Sequence, residues 1–137
     1  MNRFQNVTFK HFSESDASAQ DKEIDCLNAD YLVVQFFTSG GSDAVMAELR
    51  LLESDASGSG QVEISGTDIA ADVTSPAAVA ADAGCALFVV DLRARKRFIT
   101  VGFDGPASSA NYVAAFTLND QKPITDASAD WKKRVLI

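Results

Sequence analysis

Hydrophobic residues recur at every second position over much of this chain. Val45, Ala47, Leu49 and Leu51 fall on one face of an extended strand, with Glu48 and Arg50 on the other. Ile99, Val101 and Phe103 alternate with Thr100, Gly102 and Asp104, and Tyr112, Ala114, Phe116 and Leu118 alternate with Ala115, Thr117 and Asn119. Two runs, Tyr31–Phe37 and Leu87–Val90, are apolar almost throughout and read as central strands covered on both sides, or nearly so. Strands are expected near 4–12, 21–27, 30–38, 44–53, 61–64, 85–92, 96–104 and 110–119.

Turn-forming clusters fill the gaps: Ser39-Gly40-Gly41-Ser42, Ser57-Gly58-Ser59-Gly60, Ser65-Gly66-Thr67-Asp68 and Gly105-Pro106-Ala107-Ser108. Residues 67–84 are Ala-rich and poor in β-formers, and predict a long connection with one short helical turn. The fold class expected is all-β: an antiparallel β-sandwich, jelly-roll or Greek-key-like, of about eight strands with a short C-terminal arm. Residues 1–122 would form the sandwich, with 1–20 an N-terminal arm or an edge strand, and 123–137 the arm. That last segment shows no sheet period; Ser128 is placed to cap a helical turn carrying Trp131, and the end folds back on its own sandwich or lies on a neighbour. The pentapeptide Glu-Ser-Asp-Ala-Ser occurs at 14–18 and again at 53–57, read as two acidic turns.

The 137 residues suffice for one domain with its own core, and 47% hydrophobic content excludes a disordered chain. Cys26 and Cys85 are isolated at the edges of apolar runs and read as small buried hydrophobes in a chain folded under reducing conditions. The first residues lack the apolar run of a signal peptide. The longest apolar run, Ala86–Val90, is far short of the roughly 20 residues a membrane-spanning helix needs, so no membrane partner is expected.

Charge is unevenly spread. Residues 1–92 carry a net −11 and residues 93–137 a net +4, within a total of −7. An acidic total argues against nucleic acid as a partner. The basic clusters Arg93, Arg95, Lys96, Arg97 and Lys132, Lys133, Arg134 suit docking on a protein of complementary charge.

Catalytic chemistry finds no anchor. Serine or cysteine nucleophiles need a positioned base, and the one histidine, His11, reads as an exposed strand residue. The carboxylate pairs Glu53/Asp55, Asp68/Asp72 and Asp126/Asp130 lie in turn-like segments, and neither Glu-Ser-Asp turn has the spacing of a calcium loop. No catalytic residue, metal site or cofactor is expected.

Certain residues resemble a known family. They are Asp30-Tyr31-Leu32-Val33-Val34, then Ala47 to Asp55 ending in Leu51-Leu52-Glu53-Ser54-Asp55, then Val90 to Val101 with its basic turn and Arg97-Phe98-Ile99, then Ala114–Leu118. The pattern, over roughly residues 21–122, is similar to the small β-sandwich capsid decoration (cement) and minor head proteins of tailed bacteriophages. It departs from that family where Gly58-Ser59-Gly60-Gln61 replaces the usual aromatic, and in the Trp131-Lys132-Lys133-Arg134 tail. The resemblance implies a virion protein without enzymatic activity. It would be made in the host cytoplasm and bind the major capsid protein and copies of itself, often as a homotrimer.

The contact residues expected are Phe4, Phe12, Arg93, Arg95, Lys96 and Arg97, with the tail Trp131, Lys132, Lys133, Arg134, Val135, Leu136 and Ile137. A tail or fibre-base component shares the same composition. A carbohydrate-binding sandwich would instead need Tyr31, Tyr112 and Trp131 to form an exposed platform.

Overall fold

Strands whose alternate residues are apolar bury one face, and here two sheets bury theirs against each other. The computed structural model describes residues 8–14, 19–40, 43–75, 84–105, 111–120 and 133–137. Its strands are β1 (Thr8–Glu14), β2 (Gln20–Asp25), β3 (Tyr31–Ser39), β4 (Ala44–Val45), β5 (Glu48–Ser54) and β6 (Val62–Glu63). They continue with β7 (Thr74–Ser75), β8 (Cys85–Asp91), β9 (Phe98–Asp104), β10 (Asn111–Asn119) and β11 (Lys133–Leu136). One sheet runs β1-β10-β3-β8-β11, the facing sheet β2-β9-β5-β6, and β4 pairs β7 as a small third sheet.

The connectivity is a nested ribbon. β5 pairs β6, β4 pairs β7, β3 pairs β8, β2 pairs β9 and β1 pairs β10, every pair antiparallel. Apart from the β4–β7 pair, these pairs fall alternately in the two main sheets, which is the jelly-roll winding. Only β11 stands outside this scheme, added parallel to β8 at the edge of the five-stranded sheet.

The core lies between the sheets. From the five-stranded sheet come Leu32, Val34 and Phe36 of β3, Phe88 and Val90 of β8, and Tyr112 and Phe116 of β10, all 0–1% exposed. Ile24, Leu49, Leu51, Ile99, Val101 and Phe103 answer from the other sheet. Burying each such side chain contributes ~1.5–3 kcal/mol. At one end Phe36, Phe103 and Tyr112 cluster across the gap, with ring centroids 5.3 Å apart for Phe36–Phe103 and 5.2 Å for Phe103–Tyr112.

The buried hydroxyls of Thr67, Thr38 and Ser75 are partnered. The Thr67 hydroxyl accepts from the Leu51 N–H at 3.0 Å and donates to the Ile64 carbonyl at 2.7 Å, tying the β6–β7 connection to β5. Thr38 and Ser75 share a buried hydroxyl pair at 2.7 Å that joins β7 to β3. The β5–β6 hairpin turns through Gly58 and Gly60, both at positive φ (68° and 67°), a conformation that β-carbon sterics deny most residues.

Three expectations need correction. The strand foreseen over 44–53 is broken at Met46 and Ala47. Met46 is buried and donates its N–H to the Val73 carbonyl, so Val45 and Ala47 are exposed while Leu49 and Leu51 are inside. Tyr31–Phe37 falls short of nearly full cover at one end, where Phe37 is 40% exposed while Tyr31, Val33 and Gln35 are half-buried, whereas Cys85–Val90 is buried throughout. The chain's last residues do carry sheet structure, as β11. The short helical turn in 67–84 is present at Ala70–Asp72, followed by β7. The expected cap at Ser128 lies outside the described residues.

Candidate protein-contact surfaces

Two outer faces of opposite character flank the core. On the four-stranded sheet, the positions alternating with the buried residues are largely charged: Asp21, Glu23 and Asp25 on β2, Glu48 and Arg50 on β5, and Asp104 on β9. Arg50 bridges Glu48 at 2.8 Å and Glu63 at 2.9 Å. Glu23 accepts from the Ser57 hydroxyl at 2.6 Å and the Gly58 N–H at 2.9 Å, pinning the β5–β6 turn against β2.

The five-stranded sheet differs. Its outward positions on β3, β8 and β10 form rows set by register: Thr117, Val33 and Val89; then Ala115, Gln35 and Leu87; then Val113, Phe37 and Cys85. None of these nine is charged. Leu87, Val89 and Ala115 are 5–7% exposed, while Phe37 (40%) and Val113 (36%) stand open side by side. Leu136, in register with Val89, is 58% exposed. Uncharged sheet surface bearing open aromatic and branched residues is what protein contacts use.

The basic turn after β8 is assembled as the sequence implies, but its charge is matched locally. Asp91 accepts from the Arg93 N–H and, through both oxygens, from its guanidinium. Arg97 makes a two-point bond to Asp25 at 2.8 and 2.6 Å. Lys96 pairs with Asp55 at 3.1 Å, and Arg95 lies 3.8 Å from Glu53. Four cations therefore meet four carboxylates from β2, β5, the turn after β5, and β8. The hydrogen bonds from Arg97 hold the Asp25 carboxyl below its ordinary value of 3.8 and raise the arginine in return. Asp91 likewise raises Arg93, whose guanidinium also lies 5.4 Å from the Tyr31 ring centre.

No family model matches the chain, and no curated protein matches its sequence.

Of the contact residues expected, Arg93, Arg95, Lys96 and Arg97 sit together on the turn 91–97, and Lys133, Arg134, Val135 and Leu136 form β11. Val135 is buried in the core and Ile137 packs half-buried against it, so these two serve the sandwich itself. Phe12 lies in β1 opposite Ala114. Phe4, Trp131 and Lys132 lie outside the described residues. Tyr112 is a core residue and Tyr31 lies beneath Arg93, so these two do not form a common exposed platform. Phe37 and Val113 escaped the sequence reading, because an apolar run conceals which of its residues lack cover. Cys26 and Cys85 are buried and form no disulfide, and burial pushes the Cys26 thiol up to about 12. Among the described residues, no group of three or more His, Cys, Asp or Glu is placed to hold a metal ion. No helix among them is long and apolar enough to cross a membrane.

Proposed function

We propose that this chain is a virion structural protein, a capsid decoration (cement) protein that binds the outer surface of a phage head and stabilises contacts between coat subunits. The observation that carries the reading is the uncharged outer face of the five-stranded sheet, with Phe37 and Val113 open on it, set against the acidic face opposite. One face adheres and the other stays solvated. The resemblance of residues 21–122 to phage head proteins supplies the partner, the major capsid protein together with sister copies arranged as a trimer. Jelly rolls occur among viral capsid domains but also among lectins and cupins, so the fold supports this reading only by analogy. Many weak contacts, repeated over a lattice, add through multivalency and raise its resistance to internal pressure.

The test is co-sedimentation of purified protein with expanded heads that lack it. Wild type should pellet with the heads, and Phe37→Glu and Val113→Glu should each weaken binding at least tenfold while leaving the circular-dichroism spectrum unchanged. A wild type that ignores the heads, or charged variants that bind as well as wild type, would refute the proposal. Labelling of whole virions that decorates the tail would overturn the assignment to the head.

A further inference from the structure

β11 is unlike every other strand described. The remaining ten form nested antiparallel pairs, and β1, at the opposite edge of the same sheet, closes the outermost of them against β10. β11 is parallel and outside that ribbon, and its departure would leave a complete jelly roll. Its role is local. Lys133–Leu136 run along Ala86–Val89, and the Ile137 N–H and carbonyl extend the ladder to the Val89 carbonyl (3.0 Å) and the Asp91 N–H (2.8 Å). Val135 and Ile137 add side chains to the core. Without β11, strand β8, buried from Cys85 to Val90, would become an open, apolar sheet edge, the kind that recruits another strand.

The tether permits more than one destination. β10 ends level with Tyr31 and Asp91, whereas β11 begins opposite Ala86 on the far side of β8. Three inter-strand steps and five residues of rise put the ends ~22 Å apart. Thirteen residues separate Asn119 from Lys133. Extended, they span up to ~48 Å.

We propose that β11 is exchanged between copies of this chain when they are crowded, residues 133–137 of one copy seating along β8 of the next. The bonds made are the same in either arrangement, so no new surface has to be built; tether and concentration decide between them. A tether of this length acts like a local concentration on the order of millimolar. Dilute protein therefore keeps its own strand, and copies packed side by side exchange it. The crowded setting is that of the proposed shell-binding role, and the inference deepens that reading. Its test needs only purified protein, so its failure and that of shell binding are separable.

The experiment uses chains carrying Cys26→Ala and Cys85→Ala. Val89 and Leu136 are register partners, so a Val89→Cys chain and a Leu136→Cys chain are mixed and oxidised at ~10 µM and at ~2 mM, bracketing the tether's effective concentration. A chain with both cysteines, which should close within itself when dilute, checks the geometry. Disulfide-linked heterodimer should be at least tenfold more abundant at the higher concentration. Its absence there, with the double variant closing readily, overturns the proposal. A second measurement is independent of disulfides. Deleting residues 124–129 cuts the tether's reach to ~27 Å, barely above the straight-line span. The mass in solution should then double or rise to a closed ring, and a shortened chain that stays monomeric overturns the proposal equally.

Discussion

Gly105, at the end of β9, touches the Tyr112 hydroxyl so closely that a β-carbon there would lie 1.3 Å from the oxygen and 2.5 Å from Cζ. Gly105→Ala therefore cannot be accommodated with Tyr112 in place. Tyr112 is 1% exposed and packed on Phe36 and Phe103, so it has nowhere to retreat except out of the core. Overpacking of this sort costs ~1–3 kcal/mol, occasionally more. Losing a large buried aromatic altogether costs ~3–5 kcal/mol, which sets the upper bound. A loss of about 2–4 kcal/mol follows, or roughly 8–16 °C in Tm for a domain of this size. The sign is informative, because Gly105 is not among the glycines at positive φ, and there Gly→Ala ordinarily stabilises by ~0.4–1 kcal/mol. Urea unfolding followed by circular dichroism measures the loss. The same substitution in a Tyr112→Ala background should be nearly neutral, a coupling of about 2–4 kcal/mol. Equal losses in both backgrounds, or no loss in the first, would refute the packing described for this corner.

Thr67→Val keeps the shape of its side chain but strands the buried Leu51 N–H, and should lower unfolding free energy by ~1–3 kcal/mol, while Thr67→Ser should lower it less. Equal effects in denaturant titrations would remove the hydroxyl from the account. Asp25 titrates below its ordinary value of 3.8 because Arg97 bonds its charged form. A depressed folded value stabilises the protein above the unfolded value, and that stability is lost as pH falls through the folded one. The loss should therefore fall below about pH 4. Arg97→Gln should bring the Asp25 carboxyl back up, as read by NMR titration, and flatten that part of the acid-unfolding curve. An Asp25 titration unmoved by Arg97→Gln would show that the pair does not form in solution.

The sheet architecture was legible because alternation is written directly in residues such as Ile99, Val101 and Phe103, whose neighbours are polar or glycine. It failed where local pattern and tertiary bonding diverge. Val45 and Ala47 continue the alternation of Leu49 and Leu51, yet the Met46–Val73 hydrogen bond redirects the chain. β11 was missed because a four-residue edge strand carries too few residues for a period to register, and its partner lies more than forty residues away in the sequence. The basic turn was recognised as a cluster, but nothing local in Arg93-Ala94-Arg95-Lys96-Arg97 reveals that Asp25, Glu53 and Asp55 converge on it. Whether a surface is covered or bare, as at Phe37, depends on distant segments and leaves no local trace.

The concentric pairing of strands also governs when this molecule can exist. Its innermost hairpin is local, but each successive ring joins stretches farther apart, and the outermost closes Thr8–Glu14 on Asn111–Asn119. On the ribosome the two layers cannot shut until Asn111–Asn119 has been made. Folding should accordingly be slow, as topologies dominated by distant contacts are. A nascent chain halted before residue 111 would lack the partner for its own beginning, and with it the surface on which Phe37 and Val113 lie together.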